Sequence, residues 1–504
     1  MTNHFFDLIR SRQPDLSRPF VETVDGTVLT YGDLERRSAQ YAAALLALGL
    51  QPGDRVAVQV EKSVEAIFAY LGTLRAGGVF LPLNTGYTPP EIDYFLGDAE
   101  PRVFVCDPAS EAALAPIAGA RGVAAVLTLD GQGKGSLAQA ADAAAPQFDN
   151  VARGPDDLAA LLYTSGTTGR SKGAMLTHGN LASNALALVD YWRFTRDDVL
   201  IHALPIFHTH GLFVAINVTL MAGSSMIFLP KFDPEVILKL MGRASVLMGV
   251  PTFYVRLLKS PGLTPEAAKN MRLFISGSAP LLAETHREWR AATSHAILER
   301  YGMTETGMNT SNPYEGERIA GTVGFPLPGV SVRVTDPANG RELIVGAIGM
   351  IEVKGPNVFA GYWRMPEKTA AEFHDGWFVT GDLGLIDARG YVQIVGRGKD
   401  LVISGGYNVY PKEVESEIDA LDGVIESAVI GLPHADFGEG VTAVVVARPG
   451  AGLDEKSVLA ALEGRLARFK FPKRVLFVDD LPRNTMGKVQ KNLLREQYKG
   501  LYGS

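Results

Sequence analysis

The sequence predicts a layered α/β protein: a large N-terminal domain that includes a small β-barrel-like subdomain, and a small α+β domain at the C-terminal end. Three observations predict this fold. The length of 504 residues exceeds what one hydrophobic core usually supports. Short apolar runs alternate with helix-length amphipathic stretches, as in layered α/β domains. After about residue 315, alternating strand-like segments and glycine turns replace this pattern.

Nine short apolar runs predict buried strands. They are rich in branched apolar residues, as parallel strands covered on both faces are. The runs span 55–60, 78–84, 102–107, 124–130, 158–164, 199–205, 225–230, 246–251 and 273–276. Between them, residues 31–49 and 63–77 have the length and pattern of helices. Residues 113–145 are rich in alanine and predict surface helix and loop.

One apolar segment has the length of a membrane span. Residues 211–230 contain no charged side chain. Asn217, Thr219 and the Gly-Ser-Ser break at 223–225 favour a buried helix followed by a buried strand, so no membrane span is expected.

Composition narrows the function classes. A net charge of −7 gives no reason to expect a nucleic-acid partner. The single cysteine, Cys106, lies in an apolar run and is predicted to be a buried strand residue rather than a nucleophile. The first residues lack an apolar signal core, so we expect a cytoplasmic protein.

A domain boundary is predicted near Gly398. The charged, glycine-rich segment GRGKDLVISGGYNVYP begins at Gly396 and precedes a new strand–loop–helix pattern. We therefore expect an N-terminal domain over 1–396 and a C-terminal domain over 397–504.

The segment YTSGTTGRSKG, residues 163–173, follows a predicted strand and is typical of a phosphate-binding loop. Its three glycines allow backbone amides to converge on an anion, and five Ser or Thr hydroxyls add donors. The glycine spacing differs from that of a Walker A loop, and Lys172 precedes Gly173 rather than Ser or Thr. Taken alone, the segment is equally compatible with a flexible turn.

Five further motifs make the pattern specific. They are ERYGMTETG (299–307), GYWRMPEKT (361–369), GWFVTGDLG (376–384), GRGKDLVISGGYNVYP (396–411) and PRNTMGK (482–488). With these motifs in this order, nearly the whole chain resembles the acyl-CoA synthetases of the adenylate-forming superfamily, which also contains peptide-synthetase adenylation domains and luciferases.

The resemblance implies where ATP and Mg²⁺ bind. Glu305 is the expected metal ligand, with Ser165 as a second candidate, because a hard cation takes oxygen ligands. Thr304 is expected to hold ATP and Mg²⁺ together with Glu305. The residues expected at the β- and γ-phosphates are Thr164, Ser165, Gly166, Thr167, Thr168, Gly169 and Lys172. Tyr301 is expected to flank the adenine opposite Gly277, Ser278 and Ala279, Gly302 and Met303 are further nucleotide-binding candidates, and Asp382 and Arg397 are expected at the ribose.

The resemblance also implies a two-step reaction. A carboxylate attacks the α-phosphorus of ATP, pyrophosphate leaves, and the acyl-adenylate is then attacked by the thiol of coenzyme A. Lys488 matches the mobile catalytic lysine of the first step, where a point charge stabilises the transition state. A mobile C-terminal domain would turn about Lys399 and bring Gly405 and Gly406 to the adenylate, leaving room for the thiol.

Lys488 is also a candidate for regulation. In relatives with a similar segment, a protein acetyltransferase can neutralise this lysine and a deacetylase can restore it, and we expect the same partners here.

Two arginines indicate the acid. Arg300 directly precedes Tyr301, and Arg256 lies in the segment that lines the acyl pocket of relatives. Two guanidinium groups in one pocket need an anionic partner, which a second carboxylate on the substrate would supply. Together with Ser278, the arginines resemble the malonate-binding signature of malonyl-CoA synthetases. Alternatively, Arg300 pairs with Glu299 or Glu305, and Arg256 faces outward from a helix.

His208 and His210 stand two residues apart in PIFHTHGL. Without a third ligand nearby, a metal site is not expected there. By family position, His208 borders the acyl pocket near the path of the thiol; a hydrogen-bonded pocket histidine is the alternative.

Other functions stay open at this point. We predict malonate or methylmalonate as the substrate. The alternative is a short-chain, medium-chain or aryl monocarboxylate. A carrier-protein thiol is the alternative acceptor to coenzyme A. A nucleotide-binding regulator without turnover is disfavoured because Lys172, Glu305 and Lys488 are all present. The basic segment 468–477 is assigned no role.

Overall fold

The computed structural model describes residues 2–13, 15–164, 171–485 and 487–503. The helices and strands up to residue 164 are α1 (His4–Ser11), β1 (Pro19–Thr23), β2 (Val28–Thr30), α2 (Tyr31–Ala47), β3 (Arg55–Gln59), α3 (Val64–Arg75), β4 (Val79–Pro82), α4 (Pro89–Ala99), β5 (Val103–Cys106), α5 (Glu111–Ala120), β6 (Ala125–Thr128), α6 (Ser136–Asp142) and β7 (Leu158–Thr164).

The middle of the chain continues the alternation of strand and helix. Its elements are β8 (Lys172–Thr177), α7 (His178–Tyr191), β9 (Val199–His202), a π-helical segment (His210–Ile216), α8 (Asn217–Ala222), β10 (Ser225–Phe228), α9 (Pro234–Leu240), β11 (Val246–Gly249), α10 (Pro251–Leu258), β12 (Leu273–Ser276), α11 (Ala283–Thr293), β13 (Leu298–Met303), β14 (Gly307–Ser311) and β15 (Phe325–Pro326).

The remaining elements are mostly strands, with four short α-helices. They are β16 (Ser331–Thr335), β17 (Gly349–Lys354), β18 (Gly361–Tyr362), α12 (Pro366–Ala371), β19 (Phe373–His374), β20 (Trp377–Ile386), β21 (Val392–Arg397), β22 (Val402–Ser404), β23 (Tyr407–Val409), α13 (Pro411–Asp419), β24 (Val424–His434), β25 (Gly438–Ala447), α14 (Glu455–Ala461), β26 (Arg474–Phe477) and α15 (Lys491–Tyr498).

Two largely parallel sheets form the N-terminal part. One has seven strands in the order β18-β8-β7-β4-β3-β5-β6, and the other has nine in the order β15-β14-β13-β12-β11-β9-β10-β1-β2. All nine predicted strands are confirmed, with ends that differ from the predicted ends by at most three residues. The prediction holds because runs of branched apolar residues suit strands buried on both faces. One continuous hydrophobic core packs against strands of both sheets.

The predicted change of sequence pattern after about residue 315 is confirmed, because most of the strands that follow belong to separate sheets. Strands β16, β17, β19, β20 and β21 form a five-stranded antiparallel sheet. A further five-stranded sheet contains β22 to β26 and packs with α13 to α15. The α/β fold with a large N-terminal and a small C-terminal domain is therefore confirmed. The chain passes from one sheet to the other between Arg397 and Val402; the boundary at 396/397 stays a prediction.

The apolar segment 211–230 folds as predicted into buried helix and buried strand, but its first part is a π-helical segment, His210–Ile216. Among the described helices, none combines the length and the apolar character that a membrane crossing requires. Cys106 is buried at the end of β5, as predicted.

Candidate active site

The candidate residues follow the ends of three strands of the nine-stranded sheet. The loop after β9 carries His208, the loop after β12 carries Gly277 to Ala279, and the turn after β13 carries Thr304 and Glu305. In parallel sheets, ligands bind in the crevice outside the carboxyl ends of the strands. The topology thus brings together residues that lie about a hundred positions apart in sequence.

Asp382 receives two partners at the predicted ribose position. Tyr301 Oη donates to Asp382 Oδ2 at 2.6 Å, and Arg397 Nε lies 2.7 Å from Asp382 Oδ1. Asp382 and Arg397 face each other on β20 and β21, and the carboxylate raises the pKa of the Arg397 guanidinium. The structure therefore brings these three predicted nucleotide residues into direct contact.

Glu305 is buried and linked to Lys172 through two residues not predicted from sequence. Tyr362 Oη lies 3.0 Å from Glu305 Oε1 and 2.7 Å from Glu372 Oε2. Lys172 Nζ donates to Glu372 Oε1 at 3.2 Å and lies 4.1 Å from the centre of the Tyr362 ring. Cation and carboxylates thus gather where the triphosphate and its metal are expected.

The described residues fit a role for Glu305 in holding Mg²⁺. Burial raises the pKa of Glu305, so a neighbouring cation would favour its charged form. Magnesium commonly takes one or two protein carboxylates and completes its shell with substrate phosphates and water. This agrees with the lack of a three-residue His, Cys, Asp or Glu cluster in the described parts of the chain.

The phosphate loop is described only at its two ends. Thr164 ends β7 and pairs with Lys172, which begins β8. The predicted ligands Ser165, Gly166, Thr167, Thr168 and Gly169 lie outside the described residues.

Gly302 and Met303 end β13, and Thr304 opens the turn that follows. A Cβ at Gly302 would lie 2.1 Å from the carbonyl oxygen of Gly307, so only glycine allows this close approach of β13 and β14. The close approach fixes the turn that presents Glu305.

Arg300 is a buried cation that contacts no carboxylate of the described residues. It is 4% exposed, and its Nε and Nη2 atoms have no hydrogen-bond partner among the described residues. Burial lowers its pKa to about 9, which leaves it charged at neutral pH. Its guanidinium lies against Gly277, where an added Cβ would be 2.4 Å from Cζ.

The two acidic neighbours do not neutralise Arg300. Glu299 Oε1 accepts from the backbone amide of Leu281 at 3.3 Å, and burial raises the pKa of Glu299 to about 8. Glu305 contacts Tyr362 instead. The alternative pairing of Arg300 with Glu299 or Glu305 is therefore not observed in the described structure.

The structure separates the two arginines that were predicted to converge on the acid. Arg256 is exposed on α10, with its guanidinium carbon 6.0 Å from the centre of the Phe232 ring. Tyr254, two residues earlier on the same helix, is buried. Because α10 turns Arg256 toward solvent, this arrangement encloses only Arg300; a contribution of Arg256 to binding stays a prediction.

Ser278 and the two histidines lie beside Arg300. Ser278 Oγ is 3.2 Å from His210 Nδ1, and His210 donates its backbone N–H to His208 Nδ1 at 3.2 Å. Burial, and after it the charges of Arg300 and Lys488, lower the pKa of His208 to about 4. His208 is therefore neutral at physiological pH.

Lys488 lies in the loop between β26 and α15, where the charges of Arg397 and Asp382 act on it. Although its side chain keeps solvent access, desolvation and the nearby Arg397 lower its pKa to about 8. Its loop rests on the N-terminal domain: Asn84 Nδ2 donates to Thr485 Oγ1 at 3.3 Å, and a Cβ on Gly487 would lie 3.1 Å from Thr252.

The predicted hinge residue Lys399 lies near the cluster, since its charge acts on Lys488. Lys399 is exposed in a short turn between β21 and β22. Gly405 and Gly406 form the two-residue turn of the β22–β23 hairpin, with φ of 59° and 81°, and both are exposed. Such a turn favours glycine because both residues have positive φ.

Sequence reasoning missed Tyr362, Glu372 and the unpaired nitrogen of His210. Tyr362 belongs to the motif GYWRMPEKT, which was recognised without a role for each residue. Glu372 lies three residues beyond that motif, and nothing in its local pattern indicates a contact with Lys172, two hundred positions earlier.

Comparisons with known proteins agree with this geometry. The model of the AMP-binding enzyme family matches residues 10–363, and that of the AMP-binding enzyme C-terminal domain matches 413–488. The chain is 38% identical to a feruloyl-CoA synthase from Amycolatopsis sp, covering 94% of each chain. It is 36% identical to a malonate–CoA ligase from Arabidopsis thaliana, covering 89% of this chain and 78% of the relative.

The chain is similar to ATP-bound MatB from Rhodopseudomonas palustris, of which a crystal structure is known. The two sequences are 67% identical over all of both chains, and the two structures superpose with a TM-score of 0.98. The apo form of the same protein gives 0.87, so the arrangement seen here is closer to the ATP-bound one. The chain belongs to the AMP-binding enzyme family.

Proposed function

We propose that the protein is an ATP-dependent, AMP-forming ligase that activates malonate as an acyl-adenylate and transfers it to coenzyme A, giving malonyl-CoA, AMP and pyrophosphate. The observation that carries the choice of acid is the buried guanidinium of Arg300, whose Nε and Nη2 have no partner in the described parts of the chain. The ligase class is supported by the family and by CoA ligases among the relatives.

Burying an isolated charge costs free energy of folding. Proteins keep such a charge where a ligand of opposite charge pairs with it. A substrate carboxylate can accept two parallel hydrogen bonds from a guanidinium. Malonate offers one carboxylate for reaction with ATP and a second, two bonds away, for Arg300. A monocarboxylate would leave Arg300 without a partner, and a site with unpaired polar groups rejects such analogues strongly.

The comparisons support the same acid. One solved relative is a MatB protein, and among the curated relatives are malonate–CoA ligases from a plant and from mammals. The feruloyl-CoA synthase at 38% identity is the observation in favour of an aryl monocarboxylate. We favour malonate because a feruloyl group has no second carboxylate for Arg300.

For the first half-reaction, we assign Lys488 to the α-phosphate and the reacting carboxylate. Its loop is anchored against Asn84 and Thr252, and Arg397 and Asp382 influence its charge. A cation held here can stabilise the negative charge that develops as pyrophosphate leaves. Glu305 would hold Mg²⁺, which when bound neutralises charge on the phosphates.

For the second half-reaction, we assign the Gly405–Gly406 turn to the path of the thiol and Lys399 to the hinge. Both glycines are exposed here, and Lys399 lies where the chain passes between two sheets. A rotation at this point would withdraw Lys488 and present the turn to the adenylate.

Two further assignments complete the proposal. We propose a cytoplasmic location for the enzyme. We also propose Lys488 as a target of a protein acetyltransferase and a deacetylase. Its exposed side chain and lowered pKa make the amine accessible and partly neutral, and acetylation would remove the charge that adenylation needs.

The test is ATP–pyrophosphate exchange and CoA-thioester formation with malonate, methylmalonate, acetate and a medium-chain fatty acid. We expect malonate to support the highest kcat/KM in both assays. Equal or better activity with the monocarboxylates would contradict the proposal. Exchange without release of a CoA thioester would instead indicate a carrier protein as the acceptor.

A further inference from the structure

The imidazole of His210 has an unused hydrogen-bonding atom. His210 is fully buried, and its Nε2 has no partner among the described residues. Its other ring nitrogen, Nδ1, lies 3.2 Å from Ser278 Oγ. A buried polar atom without a partner is costly, and a bound ligand atom would remove that cost.

His210 lies close to Arg300. Ser278, the contact of His210, directly follows Gly277, which packs against the Arg300 guanidinium. Burial and then the charge of Arg300 lower the pKa of His210, so the imidazole is neutral. Nε and Nη2 of Arg300 and Nε2 of His210 are thus three unpaired nitrogens in one buried region.

The backbone on both sides of His210 is held in place. The His210 amide donates to His208 Nδ1, and the carbonyl of Gly211 lies 2.9 Å from His202 Nε2. Lys62 Nζ donates to His202 Nδ1 at 2.9 Å, which places the His202 hydrogen on Nε2, facing the Gly211 carbonyl. The backbone that carries the His210 ring is therefore held by contacts within the protein.

The contact with Ser278 is compatible with a hydrogen on Nε2 of His210. If the Ser278 hydroxyl donates to Nδ1, the hydrogen of the neutral imidazole is on Nε2, which then can only donate. A donor beside an unpaired guanidinium suits a carboxylate oxygen. Ser278 then acts on the acid by orienting His210, rather than by contacting the acid itself.

We propose that His210 is a specificity-determining residue whose Nε2–H donates to the distal carboxylate of the dicarboxylate substrate, next to Arg300. The inference rests on the proposed function and adds a second side chain to the recognition of that carboxylate.

The experiment measures ATP–pyrophosphate exchange with malonate and with propionate, in which a methyl group replaces the distal carboxylate. The readout is the ratio of kcat/KM for malonate to that for propionate, in full-length wild type and in His210→Leu, His210→Gln and His210→Asn. Glutamine can place an amide donor near the position of Nε2, whereas asparagine reaches only the position of Nδ1.

We expect His210→Leu to lower the ratio by roughly 10- to 100-fold, mainly through KM for malonate, as for loss of a hydrogen bond to a charged group. His210→Gln should recover most of the ratio, and His210→Asn should not. The matched control is His178→Leu, which replaces another fully buried histidine, on α7, outside the site; its ratio should equal that of wild type.

Two results would overturn the inference alone. The first is that His210→Leu has the same ratio as a wild-type enzyme that prefers malonate. The second is that His210→Asn, and not His210→Gln, recovers the ratio. A collapse of the ratio in Ser278→Ala, with no change in His210→Leu, would assign the donor to the serine hydroxyl. A wild type that uses propionate as well as malonate would overturn the proposed function and the inference together.

Discussion

The guanidinium of Arg300 occupies the space that a side chain at Gly277 would fill. An ideal Cβ on Gly277 would lie 2.4 Å from Cζ and 2.5 Å from Nε of Arg300. Gly277 follows the last residue of β12, and Arg300 lies on the adjacent parallel strand β13. The missing side chain thus lets the arginine lie flat across the end of the neighbouring strand.

Gly277→Ala is expected to displace Arg300 and to weaken binding of malonate. A contact below 3.0 Å forces one group to move, and the buried guanidinium has little free space. We expect KM for malonate to rise roughly tenfold or more, with a smaller change in KM for ATP. Gly242→Ala is the control, because its Cβ would meet no atom within 4 Å. An unchanged KM for malonate would contradict the account of this contact.

Lys488→Ala is expected to separate the two half-reactions. Adenylation of malonate should fall by at least about 100-fold, since one preorganised cation is lost from the transition state. Transfer from supplied malonyl-AMP to coenzyme A should be largely kept. Both rates are measured by single-turnover kinetics, and equal loss in both would refute the assignment of Lys488 to the first step alone.

Adenylation should also lose rate at alkaline pH. The pKa of Lys488 is lowered to about 8, so its charged form is present below that pH and is lost as the pH rises through it. We expect kcat/KM for adenylation to bend downward near pH 8. In Lys488→Arg, any remaining activity should lack this bend, because arginine stays charged. A bend that persists in the arginine variant would assign the titration to another group.

Glu299 is expected to make the fold less stable as the pH rises. Burial raises its folded-state pKa to about 8 from an ordinary value of 4.5, so between these pH values the unfolded chain releases a proton that the folded chain keeps. Stability therefore falls with rising pH across this window. In thermal unfolding, the Tm of Glu299→Gln minus that of wild type should increase from pH 5 to pH 8. Glu288→Gln, at an exposed position on α11, is the control.

Much of the fold follows from local sequence pattern, whereas much of the site does not. The strands were predictable because branched apolar runs have few other stable arrangements. Asp382 and Arg397 were placed by their motifs, but their direct contact depends on the antiparallel register of β20 and β21. Arg256 and Arg300 look alike in sequence, and only the turn of α10 and the burial of β13 separate them.

Long-range contacts account for the residues that were missed. Lys172 and Glu372 meet across two hundred positions, and Tyr362 connects them to Glu305. The sequence shows His210 only as one of two histidines two residues apart. Its contact with Ser278 through Nδ1 is a property of the folded structure. Such contacts carry no periodic signal, because they depend on how two sheets and their loops are placed together.

The most direct test of malonate recognition is the selectivity of Arg300→Met between malonate and propionate in ATP–pyrophosphate exchange. The variant removes an unpaired buried charge, so the fold should tolerate it. We predict that wild type prefers malonate by roughly 1,000-fold or more and that the variant lowers this ratio by at least about 100-fold. A ratio that is the same in wild type and variant would contradict the account.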